Sequence, residues 1–121
     1  MPDQRLTLKD ACARFAVTPR TLRYYEQIEL ITPERLGRSR IYGPKEIARL
    51  KLILQGRRFG FSLEEIRRWL DLYKEKGSRV QMENFIELAD RRIAALVAER
   101  DALSAVIEEL RELRKLAQAE L

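Results

Sequence analysis

Residues 18–27 read TPRTLRYYEQ and carry the signals that begin a short helix. Thr18 is a good helix N-cap, and Pro19 suits the first helical position because that N–H has no partner within a helix. Just upstream, residues 8–15 (LKDACARF) place apolar side chains at helical spacing. Only residues 16–17 separate the two segments. Two short helices joined by so short a turn predict a helix-turn-helix.

One face of the second helix is basic and aromatic. It consists of residues at i, i+3, i+4 and i+7, which are Arg20, Arg23, Tyr24 and Gln27. An arginine can fork onto guanine or hold a phosphate, and a tyrosine hydroxyl can donate to a phosphate. The helix N-terminus, with Thr18, offers further donors to phosphate. The face predicts a reader of the DNA major groove, and an ordinary solvated face is the alternative.

A small hairpin, or wing, is predicted over residues 30–43. Pro33 and Gly37 lie between two short pieces that favour strands, Leu30-Ile31 and Arg40-Ile41-Tyr42. The segment carries three arginines within six residues, which are Arg35, Arg38 and Arg40. Arginines on a hairpin beside a recognition helix can follow the phosphate backbone or enter a minor groove. A flexible basic loop is the alternative interpretation.

Two further helices are predicted over residues 44–76. The first carries its apolar side chains on one face, at Ile47, Leu50, Ile53 and Leu54. The second begins after a capping box formed by Ser62 and Glu65 and ends before Gly77. Three aromatic residues are predicted to form core between these helices rather than a platform for stacked bases; they are Phe59, Phe61 and Trp69.

No helix breaker interrupts residues 78–121, and a second capping box, Ser78 with Gln81, is expected to open this segment. A helix of this length spans roughly 60 Å. A heptad register aligns its apolar side chains in one stripe, and the predicted dimerisation residues are Phe85, Ala89, Leu96, Leu103, Val106, Leu110 and Leu113. A lone helix cannot bury such a stripe, so we predict a homodimer. Arg92 and Glu99, at charged seam positions, either pair across an antiparallel dimer or extend to solvent.

The composition of the 121 residues excludes several classes of protein. Histidine is absent and Cys12 is the only cysteine. These counts exclude a disulfide framework within one chain, a zinc site of Cys and His, and His-based acid–base catalysis. No stretch approaches 18 unbroken apolar residues, and the opening MPDQRLTLKD holds no apolar signal region. We therefore expect a cytoplasmic protein with no membrane partner.

The net charge of +5 is unevenly distributed along the chain. Residues 1–60 hold 13 Lys and Arg against 6 Asp and Glu, a net charge of +7, whereas residues 61–121 hold 11 against 13, a net charge of −2. The basic first half suggests a nucleic-acid surface, and the slightly acidic second half suggests a separate partner surface. Basic surfaces are also common on proteins that bind no nucleic acid.

Three blocks of this sequence resemble the DNA-binding domain of MerR-type transcription regulators. They are VTPRTLRYYEQIELI at 17–31, SRIY at 39–42 and LKLILQGRRFGFSLEEI at 50–66. The resemblance runs from about residue 6 to 73, and the combination of RTLRYYE with GFSLEEI is highly specific. The long helix that follows resembles the antiparallel dimerisation helix of the same family, so the resemblance covers nearly the whole chain.

The resemblance implies a mainly α fold, in which a winged helix-turn-helix domain precedes an antiparallel coiled-coil helix. The DNA-binding domain would occupy residues 1–76, with the helix-turn-helix at about 7–27, the wing at about 30–43 and the helix pair at about 44–76. The dimerisation helix would occupy residues 78–121. The candidate DNA-binding residues are Thr18, Arg20, Thr21, Arg23, Tyr24, Arg38, Arg40, Tyr42 and Arg57.

The function implied by the resemblance is regulation of transcription. Dimers of such proteins bind palindromic promoter DNA, and many kink and untwist it so that RNA polymerase can engage promoter elements spaced too far apart. The expected partners are double-stranded promoter DNA, a second copy of the chain and, indirectly at the promoter, RNA polymerase. Two residues depart from the pattern. Glu29 stands where the family usually has Gly, which implies strain if the position needs a positive φ, and Ser39 replaces an aromatic residue before the wing arginine.

The identity of an effector is not predicted by the sequence. Family members that sense metals use cysteines near the dimer helix, and the C-terminal half here has neither Cys nor His, so we expect no metal and no cofactor. Cys12 lies at an apolar helix position and is expected to be a buried core thiol. Trp69, Tyr73 and Phe85 could line a small-molecule pocket, although packing against the dimer helix is the favoured interpretation.

A dimeric promoter-binding regulator is thus the leading hypothesis. The second hypothesis is a DNA-architectural accessory protein of the same winged shape with low sequence preference. The third is a coiled-coil interaction module with an incidental basic domain, in which Arg20, Arg23 and Arg40 would be dispensable. An enzyme is the least favoured class, because the chain has no His, no evident pair of carboxylates and no Gly-rich phosphate loop.

Overall fold

The computed structural model describes residues 4–121, which form two compact units divided between Arg68 and Trp69. The elements, in chain order, are β1 (Leu6–Thr7), α1 (Leu8–Phe15), α2 (Pro19–Gln27), β2 (Glu34–Leu36), β3 (Ser39–Tyr42), α3 (Pro44–Phe59), α4 (Leu63–Lys76) and α5 (Ser78–Glu120). The protein is mainly α-helical with one small antiparallel sheet and a long last helix, as predicted. None of the described helices is long and apolar enough to cross a membrane.

Each helix of the helix-turn-helix begins with a side-chain N-cap, and the cap at Thr18 confirms the prediction. Thr7 accepts a hydrogen bond from the backbone N–H of Asp10 at 3.2 Å, and Thr18 accepts one from Thr21 at 3.2 Å. Ala16 ends α1 in the left-handed region, with φ of 54°, so the chain turns sharply before α2. On α2, Leu22 and Tyr25 are buried, which leaves the opposite face of this helix exposed.

The sheet has the strand order β1-β3-β2, and both pairings are antiparallel. The β2–β3 hairpin pairs Leu36 with Ser39, so Gly37 and Arg38 form a two-residue loop. Gly37 has φ of +64°, a conformation that favours glycine and suits the first loop position. The strand β1 was not predicted, because two residues carry no readable alternation.

The prediction that Leu30-Ile31 forms the first wing strand is wrong. The hairpin begins at Glu34 instead, while Leu30 and Ile31 are almost completely buried. The apolar side chains of these two residues therefore fill the core and do not belong to a strand. The apolar core of the first unit consists of Ala11, Leu22, Tyr25, Leu30, Ile31, Tyr42, Ile47, Leu50, Ile53, Phe61 and Ile66.

The turn between α3 and α4 confirms the first capping box. The Ser62 N–H donates to Oε1 of Glu65 at 2.9 Å, and the Glu65 N–H donates to Oγ of Ser62 at 3.1 Å. Phe61 in this turn is buried, but Phe59 is 44% exposed, so its assignment to the core was wrong. Gly56 allows close packing here: a Cβ on it would lie 3.0 Å from two side-chain atoms of Ile66.

In the second unit, α5 begins directly after Gly77, whose φ of +88° turns the chain between the helices. The second predicted capping box is wrong, because α5 has no side-chain cap and Ser78 already lies within the helix. The side-chain amide of Gln81 instead donates to the carbonyl of Trp69 at 2.9 Å. In return, the indole N–H of Trp69 donates to the Gln81 carbonyl at 3.0 Å. These reciprocal bonds join α4 to the start of α5.

Candidate nucleic-acid interface

A basic groove lies on the exposed side of α2. It has a volume of about 440 Å³, and its lining residues are Arg20, Thr21, Tyr24, Tyr25, Arg57 and Leu63. Four of them were predicted from the sequence to bind DNA. Two of the lining residues are arginines and none is acidic, so the groove favours an anionic ligand.

The two arginines of the groove come from different helices. Arg20 lies in the first turn of α2, and Arg57 lies in the last turn of α3, where a cation is favoured by the helix dipole. Arg57 also donates from Nη1 to the carbonyl of Phe61 at 2.9 Å. This bond fixes the arginine over the α3–α4 turn. The sequence pattern alone could not join these residues, because they are 37 positions apart.

Tyr24 is 48% exposed at the groove. Its ring is tilted by 49° against the ring of Tyr25, with centroids 6.4 Å apart, so the buried Tyr25 supports the exposed one. A phenolic hydroxyl held at the surface beside arginines is suited to donate to a phosphate oxygen.

The N-terminus of α2 is organised by two threonines. Thr18 caps the helix through its hydroxyl oxygen, which also lies 3.1 Å from the hydroxyl oxygen of Thr21. Pro19 has no N–H and the Thr21 N–H donates to the cap, so the helix dipole is the main feature of this end that favours an anion. Arg23 and Gln27 are exposed farther along α2.

The three arginines of the wing differ in solvent exposure and in ion pairing. Arg38 is exposed at the hairpin tip, and within residues 4–121 it has no ion-pair partner. Arg35 lies 3.5 Å, through Nη1, from Oε1 of Glu26 and is 55% exposed. Arg40 is the most buried of the three, with 20% exposure, and its Nε lies 2.9 and 3.1 Å from the two carboxylate oxygens of Glu26.

The structure contradicts the prediction that Tyr42 contacts DNA. Tyr42 is fully buried on the central strand β3, opposite Leu6 of β1. Its hydroxyl has no hydrogen-bond partner within the described chain, and burial raises the pKa of this phenol. Arg40 and Tyr42 lie two positions apart on β3 and so share one face of the strand; Tyr42 is fully buried there, whereas Arg40 is 20% exposed and pairs with Glu26.

Sequence reasoning missed three charged residues that hold the recognition helix in place. Glu26 joins α2 to the wing, as described above. Arg67 of α4 donates to the carbonyl of Ile28, and Arg49 of α3 donates to the carbonyl of Leu30. The bonds of Glu26 to Arg40, of Arg49 to Leu30 and of Arg67 to Ile28 join positions 14 to 39 apart along the chain, so no local pattern indicates them.

Cys12 is partly buried rather than fully buried as predicted. Burial raises the pKa of its thiol, and the nearby charge of Arg23 opposes this shift. The thiol is therefore protonated at neutral pH and is a weak nucleophile. Within residues 4–121, no group of three or more His, Cys, Asp or Glu side chains is arranged to hold a metal ion.

The aromatic residues of the second unit form a packing contact. The rings of Trp69 and Phe85 lie 5.9 Å apart with an interplanar angle of 54°, and the Trp69 indole already donates to Gln81. Tyr73 is 59% exposed. This arrangement favours the interpretation of Trp69 and Phe85 as packing between α4 and α5, and an effector pocket at these residues stays an untested prediction.

The apolar stripe of α5 is exposed along the described chain. Leu103, Val106 and Leu110 are each at least 60% exposed, and no residue of α5 is buried. The remaining predicted dimerisation residues are Phe85, Leu96 and Leu113, all 40% exposed or more, and Ala89, which is partly buried. Arg92 Nη1 lies 3.9 Å from Oε1 of Glu99, so the two charged seam residues approach each other within one helix.

The fold and the groove define a winged helix-turn-helix protein with a basic recognition helix. The chain belongs to the MerR family, because the family model described as "MerR HTH family regulatory protein" matches residues 6–73. A second model, "MerR, DNA binding", matches residues 47–113. The resemblance found in the sequence is thereby confirmed.

Comparison with individual proteins agrees with this assignment. The HTH-type transcriptional regulator HmrR of Rhizobium leguminosarum bv. viciae is 39% identical over 72 residues, which cover 59% of this chain and 56% of that protein. The chain thus spans little more than half the length of this relative. HmrR is named as a transcriptional regulator, which is the class that the sequence predicts for this chain.

Two solved structures share the fold. A MerR-family transcriptional regulator from Bacillus cereus has a TM-score of 0.76 and 25% identity, over 95% of this chain and 84% of that one. HiNmlR, "a MerR family regulator lacking the sensor domain, bound to promoter DNA", has a TM-score of 0.64 and 22% identity, over 79% of this chain and 75% of that one.

Proposed function

We propose that this protein is a transcriptional regulator that binds double-stranded promoter DNA through the groove on α2. The observation that carries the proposal is the meeting of Arg20, Tyr24 and Arg57 in one exposed groove without an acidic lining residue. Arginine and tyrosine side chains and a helix N-terminus are groups that bind the phosphate oxygens of a DNA backbone. Relatives of the chain are regulators by name, and the HiNmlR structure of the same fold is a complex with promoter DNA.

Within this proposal, the exposed side chains of α2 divide two tasks. Arg23 and Gln27, farther along the helix, read base edges in the major groove, where arginine pairs with guanine and glutamine with adenine. Thr18, Arg20, Thr21, Tyr24 and Arg57 hold phosphates and set the register of the helix. Arg38, at the tip of the wing, contacts the backbone beside the groove.

We further propose that the protein acts as an antiparallel homodimer through α5. The support is the exposed apolar stripe of the 43-residue helix, because a lone helix cannot bury such a stripe and a partner helix can. A two-fold dimer presents two recognition helices, so it favours a palindromic operator. Distortion of the DNA between promoter elements then lets RNA polymerase engage, and polymerase is in this way an indirect partner.

A footprint of the purified protein on DNA upstream of its own gene, at low and high salt, tests this function. One protected palindrome with a distorted centre between promoter elements supports the regulator. Diffuse protection that vanishes as salt rises would instead favour an architectural protein of low sequence preference, since non-specific binding is mainly electrostatic. Absence of protection at low salt would remove DNA binding as the main function.

A further inference from the structure

The wing and the recognition helix are connected through the carboxylate of one residue, Glu26. Glu26 lies on α2, and Arg40 lies on the central strand β3. The Arg40 Nε is shared between the two carboxylate oxygens at 2.9 and 3.1 Å. Arg35 adds a longer contact of 3.5 Å from the neighbouring strand β2. One carboxylate on α2 therefore pairs with an arginine on each strand of the hairpin.

The Glu26–Arg40 pair is much less exposed to solvent than a surface ion pair such as Arg5–Glu34. Glu26 and Arg40 are 23% and 20% exposed, whereas the pair Arg5–Glu34 is 61% and 57% exposed. Exposed pairs contribute little, but a charge-assisted pair shielded from water is costly to break from one side only. The Glu26–Arg40 pair is thus able to fix an orientation.

Glu26 places a negative charge on a helix that is proposed to bind DNA. A carboxylate beside phosphates opposes binding unless a cation neutralises it. Arg40 supplies that cation, and its Nε is already used by the carboxylate. Arg38 at the hairpin tip has no such partner within residues 4–121 and so remains available to the backbone.

We infer that Glu26 and Arg40 are positioning residues: their ion pair sets the wing against the recognition helix, so that Arg38 and the α2 groove meet the same DNA. This inference rests on the proposed DNA-binding function. It assigns Arg40 a role different from that of a phosphate contact. The two roles predict opposite effects for Glu26→Gln. Loss of a positioning partner weakens binding, whereas simple removal of a negative charge near phosphates strengthens it.

The test uses Glu26→Gln, Arg40→Gln and the double variant in the full chain. The probe is a labelled duplex selected by the wild-type protein from a random-sequence pool, and affinity is measured at several salt concentrations. We expect each single change to weaken binding roughly tenfold and the double change to weaken it no further, because removing one partner leaves the other uncompensated. The dependence of affinity on salt should keep its wild-type slope.

Two matched controls and a second measurement accompany this cycle. Glu29→Gln removes an exposed carboxylate near the same helix and should not weaken binding. Arg38→Gln should flatten the salt dependence by about one unit, as loss of a phosphate contact does. Hydrogen exchange of the backbone amides of residues 34–42 in the free protein should become faster in both single variants, while circular dichroism reports that the helices are retained.

Each outcome decides the inference. If Glu26→Gln binds as tightly as wild type or tighter, while Arg40→Gln flattens the salt dependence, Arg40 is a phosphate contact and the positioning role is wrong. The proposed DNA-binding function would stand in that case. If the wild-type protein selects no duplex at all, the function and the positioning role both fail.

Discussion

Arg67 of α4 donates a hydrogen bond to the main-chain carbonyl of Ile28, where the recognition helix ends. Arg49 of α3 makes the equivalent bond to the carbonyl of Leu30. The residue between these two carbonyls, Glu29, has φ of +61°. Carbonyls at a helix C-terminus have no partner within the helix; Arg67 satisfies that of Ile28, and Arg49 satisfies the Leu30 carbonyl just beyond it. The turn is therefore held in a left-handed conformation by tertiary bonds.

Replacement of Glu29 by Gly should stabilise the protein by about 1 kcal/mol. A non-glycine residue in the left-handed region is strained by roughly 1–2 kcal/mol, and part of this gain is offset by the greater freedom of Gly in the unfolded chain. Urea unfolding at a fixed protein concentration measures the change. Glu29→Ala keeps the strain and should show no such gain; equal gains in both variants would mean that the Glu side chain, and not φ, is responsible.

Replacement of Gly56 by Val should destabilise the protein by about 1–3 kcal/mol. Even a single Cβ at this position would lie 3.0 Å from Cγ1 and Cδ1 of the buried Ile66, so the Ile66 side chain would have to shift, and the two methyl groups of Val add to the crowding. Thermal unfolding followed by circular dichroism measures the loss. Gln55→Val introduces the same side chain at the exposed neighbouring position and should be nearly neutral. An unchanged melting temperature for Gly56→Val would show that the contact is not tight.

Arg20→Ala should weaken DNA binding, because one phosphate contact is lost. It should also flatten the slope of log affinity against log salt concentration by about one unit. Binding of a labelled promoter duplex, titrated at several salt concentrations, gives both quantities. Arg114→Ala is the matched control, since it removes an exposed arginine from α5. A loss of affinity confined to one base position would indicate that Arg20 reads a base instead.

Introduction of a carboxylate into the apolar stripe should separate the proposed dimer. Leu103 is 63% exposed along the described chain, and in the heptad register it faces the partner helix. Leu103→Glu would bury two unpaired charges per dimer, which should weaken association by about 100-fold or more. Sedimentation at several concentrations reports the mass. Lys115→Glu, at an outward heptad position, should remain dimeric; a dimeric Leu103→Glu would place the interface elsewhere.

Alkylation of Cys12 should be slow at neutral pH and should accelerate only at alkaline pH. Burial raises the pKa of the thiol in the folded state, so a smaller fraction is thiolate at a given pH than in an unfolded chain. Because the folded state holds this proton more tightly than the unfolded chain does, protonation of the thiol favours folding. This contribution is complete below the ordinary thiol pKa and is lost as the pH rises through the raised pKa of the folded state. The rate with iodoacetamide, measured against pH with and without urea, tests this. Equal rates folded and unfolded would contradict it.

Much of the architecture follows from local sequence signals. Thr18-Pro19 begins α2, Ser62 with Glu65 begins α4, and Gly77 separates α4 from α5, all as predicted. Each signal acts within three or four residues, so a cap or a breaker can be read without knowing the fold. The family-like motif RTLRYYE likewise indicated the groove residues of α2.

Three of the wrong predictions share a different physical origin. Leu30 and Ile31 look like a strand but fill the core, and Tyr42 looks like a contact residue but is buried. Gln81 matches a capping box, yet its amide bonds to Trp69 on another helix. In each case a neighbour distant in sequence competes with the local preference, and tertiary packing prevails because it buries more apolar surface or satisfies more polar groups.

Local sequence patterns are enough to predict the helices, the caps at Thr18 and Ser62, the basic first half and the apolar stripe of α5. Which arginines are paired, and with what, depends on how distant segments pack. Arg57 meets Arg20 in a groove, whereas Arg40 is bound to Glu26 and Arg67 to the carbonyl of Ile28. The reason is that caps and periodicity depend on residues a few positions apart, while ion pairs and carbonyl bonds depend on how helices from distant segments pack.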